Sequence, residues 1–186
     1  MSESAIRLIA AVAALIIMSI GFAHAQTVTK VEVYEYGVYE ATPFINEGLT
    51  REGIVYGRID NIELVASTRT IMARRGTEFG FRFRILGTQA GAAVPMTIVM
   101  KFPQPGISAP DSAQRVLDDE YRYSDILDGD SFFIWVFDRD EKMVPGLWTF
   151  EIWIDGKKFA EQNFNIIVPP IANRQSPPLS TSGKVG

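Results

Sequence analysis

The alternation of large apolar and polar residues between Phe79 and Ile85 constrains the fold of this chain more than any other feature. One side of an extended backbone would carry Phe79, Phe81, Phe83 and Ile85, and the other side Gly80, Arg82 and Arg84. A repeat of two residues is typical of a strand with one buried face. The segment is therefore predicted to be a β-strand in a sheet that covers an apolar core.

Comparable strand patterns recur along the chain. They cover Val28–Tyr36, Ile62–Val65 with Thr70–Met72, Pro95–Phe102, Ser131–Phe137, Leu147–Ile154 and Phe159–Ile167. Arg115–Tyr123 fits either a short helix or a strand, and Asp155-Gly156 is a strong hairpin signal. Seven or eight short strands without a long helix predict an all-β fold. We expect an antiparallel β-sandwich over residues 26–170, with a closed barrel as the alternative.

The two ends of the chain are predicted to lie outside this domain. A short polar start, an apolar run from Leu8 to Phe22 and the motif Ala23-His24-Ala25 form the plan of an export signal. The run is shorter than the roughly 20 apolar residues that span a bilayer. Residues 1–25 are therefore predicted to be a cleavable signal peptide of an exported, periplasmic or secreted protein that keeps no transmembrane span. Residues 171–186, rich in Pro, Ser, Asn and Gly, are predicted to be a disordered tail.

The residue content limits the chemistry of the mature protein. The chain has no cysteine, and its single histidine, His24, lies within the predicted signal. A mature chain would thus have no disulfide, no thiolate nucleophile, no imidazole base and no His/Cys metal ligands. The net charge of −4 argues against a general nucleic-acid binder, which needs a basic excess. With no phosphate-binding or dinucleotide motif either, we expect neither an enzyme nor a cofactor.

Several segments, in order, resemble the bacterial family known as domain of unknown function 3859. They are VYEYGVY from Val33, GTEFGFRFRI from Gly76, the Phe102-Pro103 and Pro105-Gly106 turn, and VPGLWTFEIW from Val144 followed by Gly156 and Gln162–Phe164. The resemblance runs from Val28 to Val168. It implies an exported, immunoglobulin-like β-sandwich without an established activity, and it supplies no catalytic residues. The segment Asp140–Met143 departs from the family pattern, in which a Trp-Glu pair is expected.

Four aspartates flank the strand Ser131–Phe137. Asp128 and Asp130 precede this strand, and Asp138 and Asp140 follow it. Oxygen-rich loops bind Ca²⁺ in exported β domains, although this spacing does not match an EF-hand. A Ca²⁺- or carbohydrate-binding module is therefore an alternative prediction. The competing interpretation is a pair of solvated turns, in which aspartate is favoured by its local hydrogen bonds.

Aromatic and basic side chains suggest a binding surface. Ser131–Phe137 is apolar on both faces, so its second face must contact a partner or be covered by Gln104–Tyr123; both possibilities remain open. Trp153 shares a face with Thr149 and Glu151, which we expect to be solvated. The function predicted is a non-enzymatic module that binds a protein or another envelope component. The predicted contacts are Trp135 and Trp153, with polar contributions from Arg82 and Arg84.

Overall fold

A computed structural model describes residues 27–42, 45–49, 55–58, 61–108 and 114–170 of the chain. Within these ranges the backbone is almost entirely extended. The predicted signal peptide, 1–25, and the predicted tail, 171–186, lie outside the described residues, so both stay predictions. No helix in the described part has the length and apolar character needed to cross a bilayer.

The described residues form thirteen strands. They are β1 Val28–Thr42, β2 Ile45–Leu49, β3 Val55–Arg58, β4 Asn61–Ala66, β5 Thr70–Met72, β6 Glu78–Gly87, β7 Ala93–Lys101, β8 Ile107–Ser108, β9 Arg115–Val116, β10 Asp118–Ile126, β11 Ser131–Val136, β12 Gly146–Ile154 and β13 Lys157–Ile167. A 3-10 turn covers Asp140–Lys142. The expected number of seven or eight was too low. Strands of two to five residues, such as β8 and β2, are too short for alternation to identify them.

Nine of the strands belong to two large sheets. The four-stranded sheet has the order β11-β6-β1-β4, and the five-stranded sheet has the order β10-β7-β12-β13-β5. The pairs β2–β3 and β8–β9 form two small sheets. Neighbours in the large sheets are antiparallel, except for β5, which runs parallel to β13. The all-β sandwich prediction is confirmed, and the closed barrel is wrong because the two large sheets are separate.

Aromatic side chains from both sheets fill the space between them. Phe79, on β6, lies 6.1 Å from Phe150 of β12 and 5.1 Å from Phe164 of β13, measured between ring centroids. Both contacts are edge-to-face, an arrangement that aromatic quadrupoles favour. The predicted core face of β6 is confirmed, because Phe79, Phe81, Phe83 and Ile85 are fully buried.

The connection from β10 to β11 places two sheet edges on the same side of the sandwich. These strands follow one another along the chain, yet β10 is the outermost strand of the five-stranded sheet and β11 of the four-stranded sheet. The ring of Tyr121 on β10 lies 6.5 Å from that of Phe133 on β11. The chain thus crosses between the sheets at residues 127–130. Arg115–Tyr123 is strand rather than helix, since it contains β9 and part of β10.

Candidate functional site

Strand β11 has one face in the core and one face outside it. Phe133 and Trp135 lie opposite Phe81 and Phe79 of β6, on the core side. The alternate residues Phe132, Ile134 and Val136 lie on the outer face and are half-buried. The sequence thus correctly indicated two apolar faces on this strand.

Trp135 is part of the core and not of the surface. Its side chain is 5 % exposed, and its ring lies 5.6 Å from that of Phe102 and 5.3 Å from that of Trp148. The ammonium group of Lys142, itself buried, lies 5.1 Å from the Trp135 ring centroid. Burial lowers the pKa of Lys142. The expected surface position of Trp135 is therefore wrong, because the face shared with Phe133 is the inner one.

Arg82 is held in place by the four-stranded sheet itself. Its Nε lies 3.0 Å from Glu35 Oε1, and its Nη2 donates a hydrogen bond to the carbonyl oxygen of Ile62 at 2.9 Å. Tyr39 donates its hydroxyl proton to the same oxygen of Glu35 at 3.2 Å. Burial and the nearby charge of Glu35 raise the pKa of Tyr39 well above its usual range. Arg82 therefore links β6, β1 and β4 across the outer face.

Arg84 belongs to an exposed group at the start of β11. Its Nη2 lies 2.6 Å from Asp130 Oδ1, and the hydroxyl of Tyr34 donates to the same oxygen at 3.3 Å. Hydrogen bonding and the charge of Arg84 lower the pKa of Asp130. Tyr34 is 46 % exposed, with the Arg84 guanidinium carbon 5.8 Å from its ring centroid. A partner could therefore contact an aromatic ring and a charged pair here.

The sequence did not identify Tyr34 as a candidate. The pairing of β1 with β6 shifts between Val33 and Glu35, as at a β-bulge. A bulge changes which side chains face outwards, and here it interrupts the alternation from which faces are predicted. No local signal in the sequence marks this shift.

The four aspartates proposed as Ca²⁺ ligands do not come together. Asp128 and Asp130 precede β11 and Asp138 and Asp140 follow it, so the two pairs are roughly 20 Å apart along a six-residue strand. Asp138 lies 2.9 Å from Lys142 Nζ, and Asp140 lies 3.0 Å from Arg75 Nε. The described residues contain no cluster of three or more acidic, His or Cys side chains that could hold a metal. The four-aspartate site is therefore wrong as a single centre.

Added Ca²⁺ is expected to leave thermal unfolding unchanged. A cation that binds only the folded state at 100 times its Kd would add about 2.7 kcal/mol and raise the midpoint by several degrees. Separate carboxylates, three of them already paired with cations, offer no such site. The measurement is a melt with and without millimolar CaCl₂, with MgCl₂ as the ionic-strength control. A midpoint raised by CaCl₂ alone would contradict this expectation.

Trp153 lies on the outer face of the other sheet, in a cluster centred on Glu151. The indole nitrogen of Trp153 donates to Glu151 Oε2 at 2.9 Å. Lys101 and Lys158 donate to Glu151 Oε1 at 2.8 and 3.1 Å. The Glu151 side chain is only 4 % exposed, so the expectation that it is solvated is wrong. Neighbouring strands supply long side chains that cover it, and Trp153 remains partly exposed.

Replacing Glu151 with glutamine should lower stability in a pH-dependent way. Burial raises the pKa of Glu151, but hydrogen bonds from Lys101, Trp153 and Lys158 outweigh burial and bring the pKa below its usual range. A lowered pKa in the folded state stabilises the protein above the unfolded-state pKa, and this contribution is lost as pH falls through the folded-state value. We expect a loss of about 1–2 kcal/mol at pH 7.

The pH series supplies the readout for this substitution. Urea unfolding at pH 7 and about pH 3 should show the difference between wild type and Glu151→Gln shrinking with acidification. The exposed Glu63 of β4 provides the matched control, since Glu63→Gln should change stability by less than about 0.5 kcal/mol at either pH. A pH-independent effect of Glu151→Gln would contradict the ionic role.

The predicted site residues therefore occupy three separate places. Arg82 and Arg84 lie on the outer face of the four-stranded sheet, Trp153 lies on the outer face of the five-stranded sheet, and Trp135 lies between the sheets. The structure brings together Arg84, Tyr34 and the outer face of β11. At this edge of the sheet, the exposed Tyr34 and Arg84 thus lie beside the half-buried apolar side chains of the outer face of β11.

Comparison with solved structures shows the fold class. An immunoglobulin-like protein from Pseudomonas aeruginosa is similar with a TM-score of 0.51 and 24% sequence identity, over 75% of this chain and 98% of that chain. The Pseudomonas fluorescens alkylpurine DNA glycosylase AlkC bound to DNA containing an abasic site analog gives a TM-score of 0.37 and 11% identity, over 74% of this chain and 30% of that chain. The second similarity is too low to carry an argument. The first confirms the predicted immunoglobulin-like fold.

The family assignment rests on a match along most of the described domain. No curated protein matches the chain. The model of the family described as Domain of unknown function (DUF3859) matches residues 27–166. This range contains every strand described above except the last residue of β13, and it includes all the segments that carried the resemblance. The chain belongs to the DUF3859 family.

Proposed function

We propose that this domain is a non-enzymatic, exported module of the cell envelope that binds another protein at one edge of its four-stranded sheet. The surface is called the β11 margin and consists of the outer-face residues Phe132, Ile134 and Val136 together with Tyr34 and Arg84. The observation that carries the proposal is the position of an uncharged, apolar strand at a sheet edge. Apolar surface of this kind, bordered by polar groups, is typical of interaction sites.

The apolar side chains on the outer face of β11 would stabilise a complex with a partner. The inner face of β11 already packs Phe133 and Trp135 against the opposite sheet. The outer face carries the half-buried side chains of Phe132, Ile134 and Val136, at positions where polar side chains would keep an edge solvated. Covering these half-buried side chains with a partner would remove further apolar surface from water, at about 25 cal/mol per Å².

The polar residues have distinct proposed roles. Arg82 is fixed by Glu35 and Ile62, so it keeps the outer face rigid. Arg84 and Tyr34 are the polar and aromatic contacts of the β11 margin. Trp153 remains a candidate contact on the opposite face, where its ring is partly exposed but its N–H is held by Glu151. The lack of cysteine, and of histidine after residue 24, supports binding rather than catalysis.

Photo-crosslinking in the native cell envelope tests the binding surface. A crosslinkable residue would replace Phe132 in one strain, Trp153 in a second and Val65 in a third. Val65 is 62 % exposed on the opposite edge strand β4 and serves as the control. We expect a discrete protein adduct from position 132 and none from position 65. An adduct from 153 alone would move the site to the five-stranded sheet, and equal adducts from all three would contradict a defined surface.

Export makes a prediction of its own. If residues 1–25 are removed during export, the protein in the envelope fraction should begin at Gln26, because cleavage follows the motif Ala23-His24-Ala25. Intact-mass measurement of the protein from periplasmic and cytoplasmic fractions checks this. Replacing Ala25 with aspartate should block processing, since the site requires small residues. Recovery of the unprocessed chain from the cytoplasm would contradict export.

A further inference from the structure

We infer that the partner binds by strand addition: an extended apolar segment with lysine or arginine at both ends pairs with β11 as the fifth strand of the four-stranded sheet. This inference rests on the proposed binding function of the β11 margin. It adds the mode of recognition and the chemistry of the partner. Main-chain hydrogen bonds would supply affinity, and the side chains on either face of the added strand would supply specificity.

Strand β11 differs from the other three edge strands of the two large sheets. Strand β10 carries Asp118, Glu120 and Arg122 on its outer face, and charges of this kind discourage pairing. Strand β5 has three residues, and β4 contains Glu63. The six residues of β11 include no charge, no proline and no glycine. Of these four edges in the described part of the chain, β11 alone combines a length of six residues with the absence of any charge, proline or glycine.

Strand β11 has two sets of backbone groups, which point to opposite sides of the strand. Its described pairing is with β6 only. Phe137, just beyond the strand, donates its N–H to Thr77 and accepts a hydrogen bond from the N–H of Gly76, so its backbone faces the β6 side. Because backbone groups alternate in direction along a strand, Phe133 and Trp135 also face β6. The N–H and C=O groups of Phe132, Ile134 and Val136 therefore point to the free edge.

The side chains of an added strand would contact apolar neighbours on both faces. On the outer face they would lie beside Phe132, Ile134 and Val136. On the inner face they would lie beside Phe133. The ring of Phe133 also packs against that of Tyr121 on β10, at the side of the sandwich where the two sheets meet. Both sets of neighbours are aromatic or aliphatic. Cross-strand pairs of such residues stabilise a sheet, so the added strand should be apolar on both faces.

A second copy of β11 is disfavoured as the occupant by its own aspartates. A two-fold axis perpendicular to the sheet keeps inner residues opposite inner residues. One residue of β11 must therefore lie opposite its own equivalent in the second copy, with the axis midway between the two. Centred on Ile134, antiparallel pairing places Asp130 opposite Asp138. Centred on Phe133 it places Asp128 opposite Asp138, and centred on Trp135 it places Asp130 opposite Asp140. Like charges directly opposite one another destabilise a sheet.

The same aspartates favour basic ends on the partner. Asp128 makes no ion pair within the part of the chain that the structure describes, and it is exposed. The side chains of Asp130 and Asp138 are 61% and 45% exposed although each has a cationic neighbour. A strand that ends in lysine or arginine would bring positive charge to both ends of β11. Such a charge pattern would also disfavour pairings of the added strand with β11 in which the basic residues do not lie near these aspartates.

Two synthetic peptides test this inference on the purified protein. Both have a core of alternating valine and isoleucine, so that both faces are apolar; one carries two lysines at each end, and the other two glutamates. Hydrogen exchange is followed amide by amide, with fluorescence anisotropy for affinity. We expect the lysine peptide to slow exchange at Phe132, Ile134 and Val136 by at least about tenfold, while Phe133 and Trp135 are protected already. The glutamate peptide should bind at least about tenfold more weakly.

Variants separate strand addition from other binding. Ile134→Lys places a charge at the centre of the edge, a known protection against pairing, and should weaken lysine-peptide binding at least about tenfold. Val65→Lys makes the same change on β4 and should have no effect. Unprotected amides at Phe132, Ile134 and Val136 would overturn the inference, as would equal binding of both peptides. Protection of these amides that grows with protein concentration alone would identify a second copy instead.

The outcomes for the two proposals can be told apart. If position 132 crosslinks a protein in the envelope but neither peptide protects the β11 amides, the binding function stands and strand addition fails. If the lysine peptide binds at β11 but no envelope adduct forms, the edge accepts strands and the proposed cellular role fails.

Discussion

Replacing Phe79 with alanine is expected to lower the free energy of unfolding by about 3–5 kcal/mol, the largest loss predicted for this domain. Phe79 is fully buried, and its ring lies within 6.1 Å of the rings of Phe137, Trp148, Phe150 and Phe164. Truncation removes the apolar transfer term and leaves a cavity among four aromatic rings. Rigid rings from two sheets cannot collapse into that space, so little of the cavity energy would be recovered.

Urea unfolding followed by tryptophan fluorescence measures this effect, because Trp148 lies beside the cavity. Leu147→Ala is the matched control, since Leu147 is 60 % exposed next to Trp148 and should cost less than about 0.5 kcal/mol. If the Phe79→Ala variant does not fold, Phe79→Leu provides the measurement. Leucine keeps part of the side-chain volume, so the free energy of unfolding should fall by a smaller amount. A loss below about 1 kcal/mol for Phe79→Ala would contradict the described core.

Replacing Gly80 with alanine should displace β11, at a cost of about 3 kcal/mol. A Cβ atom at this position would overlap the carbonyl oxygen and carbon of Phe133, which are backbone atoms of the edge strand. Backbone cannot rotate away as a flexible side chain can. The β6–β11 ladder must therefore open locally, and the edge proposed to bind the partner moves with it.

Stability and hydrogen exchange together test the Gly80 prediction. Exchange at Phe133 and Trp135 should become faster in Gly80→Ala, whereas amides of the β12–β13 pair should keep their protection until global unfolding. Gly91→Ala is the control: a Cβ there meets nothing within 4 Å, and only the positive φ of +78° opposes it. That strain costs about 1–2 kcal/mol. Faster exchange at β12–β13 without any change at β11 would contradict the close approach of the two strands.

The side chains on each face of a strand could be predicted, but the strands and sheets that pack against each face could not. Alternation placed Phe79, Phe81 and Phe83 on the core side and Arg82 and Arg84 on the other, and both assignments are confirmed. Trp148 and Phe150, on the face of β12 opposite Trp153, are buried in the same core. For Trp135 the pattern left two apolar faces and no means of choosing between them. The choice depends on which side of β11 meets the other sheet.

The candidate site was predicted only in part for the same reason. Arg84 was identified, but its contacts with Asp130 and Tyr34 depend on residues 46 and 50 positions away along the chain. Glu151 was expected to be solvated because alternation places it on the face of β12 opposite the core. Lys101 comes from another strand, and it is the register of β7 against β12 that brings it to the carboxylate.

The sequence by itself determined the fold class, the face of most strands and the absence of cysteine and of all but one histidine. Those properties are local, because side-chain alternation follows from the geometry of one extended chain and composition needs no structure at all. The tertiary structure decided that β11 is an edge, that its odd-numbered residues face the core and that three of the four aspartates at its ends are paired with cations. Strand order and register join residues far apart in sequence, and they are set by the packing of two whole sheets rather than by any one segment.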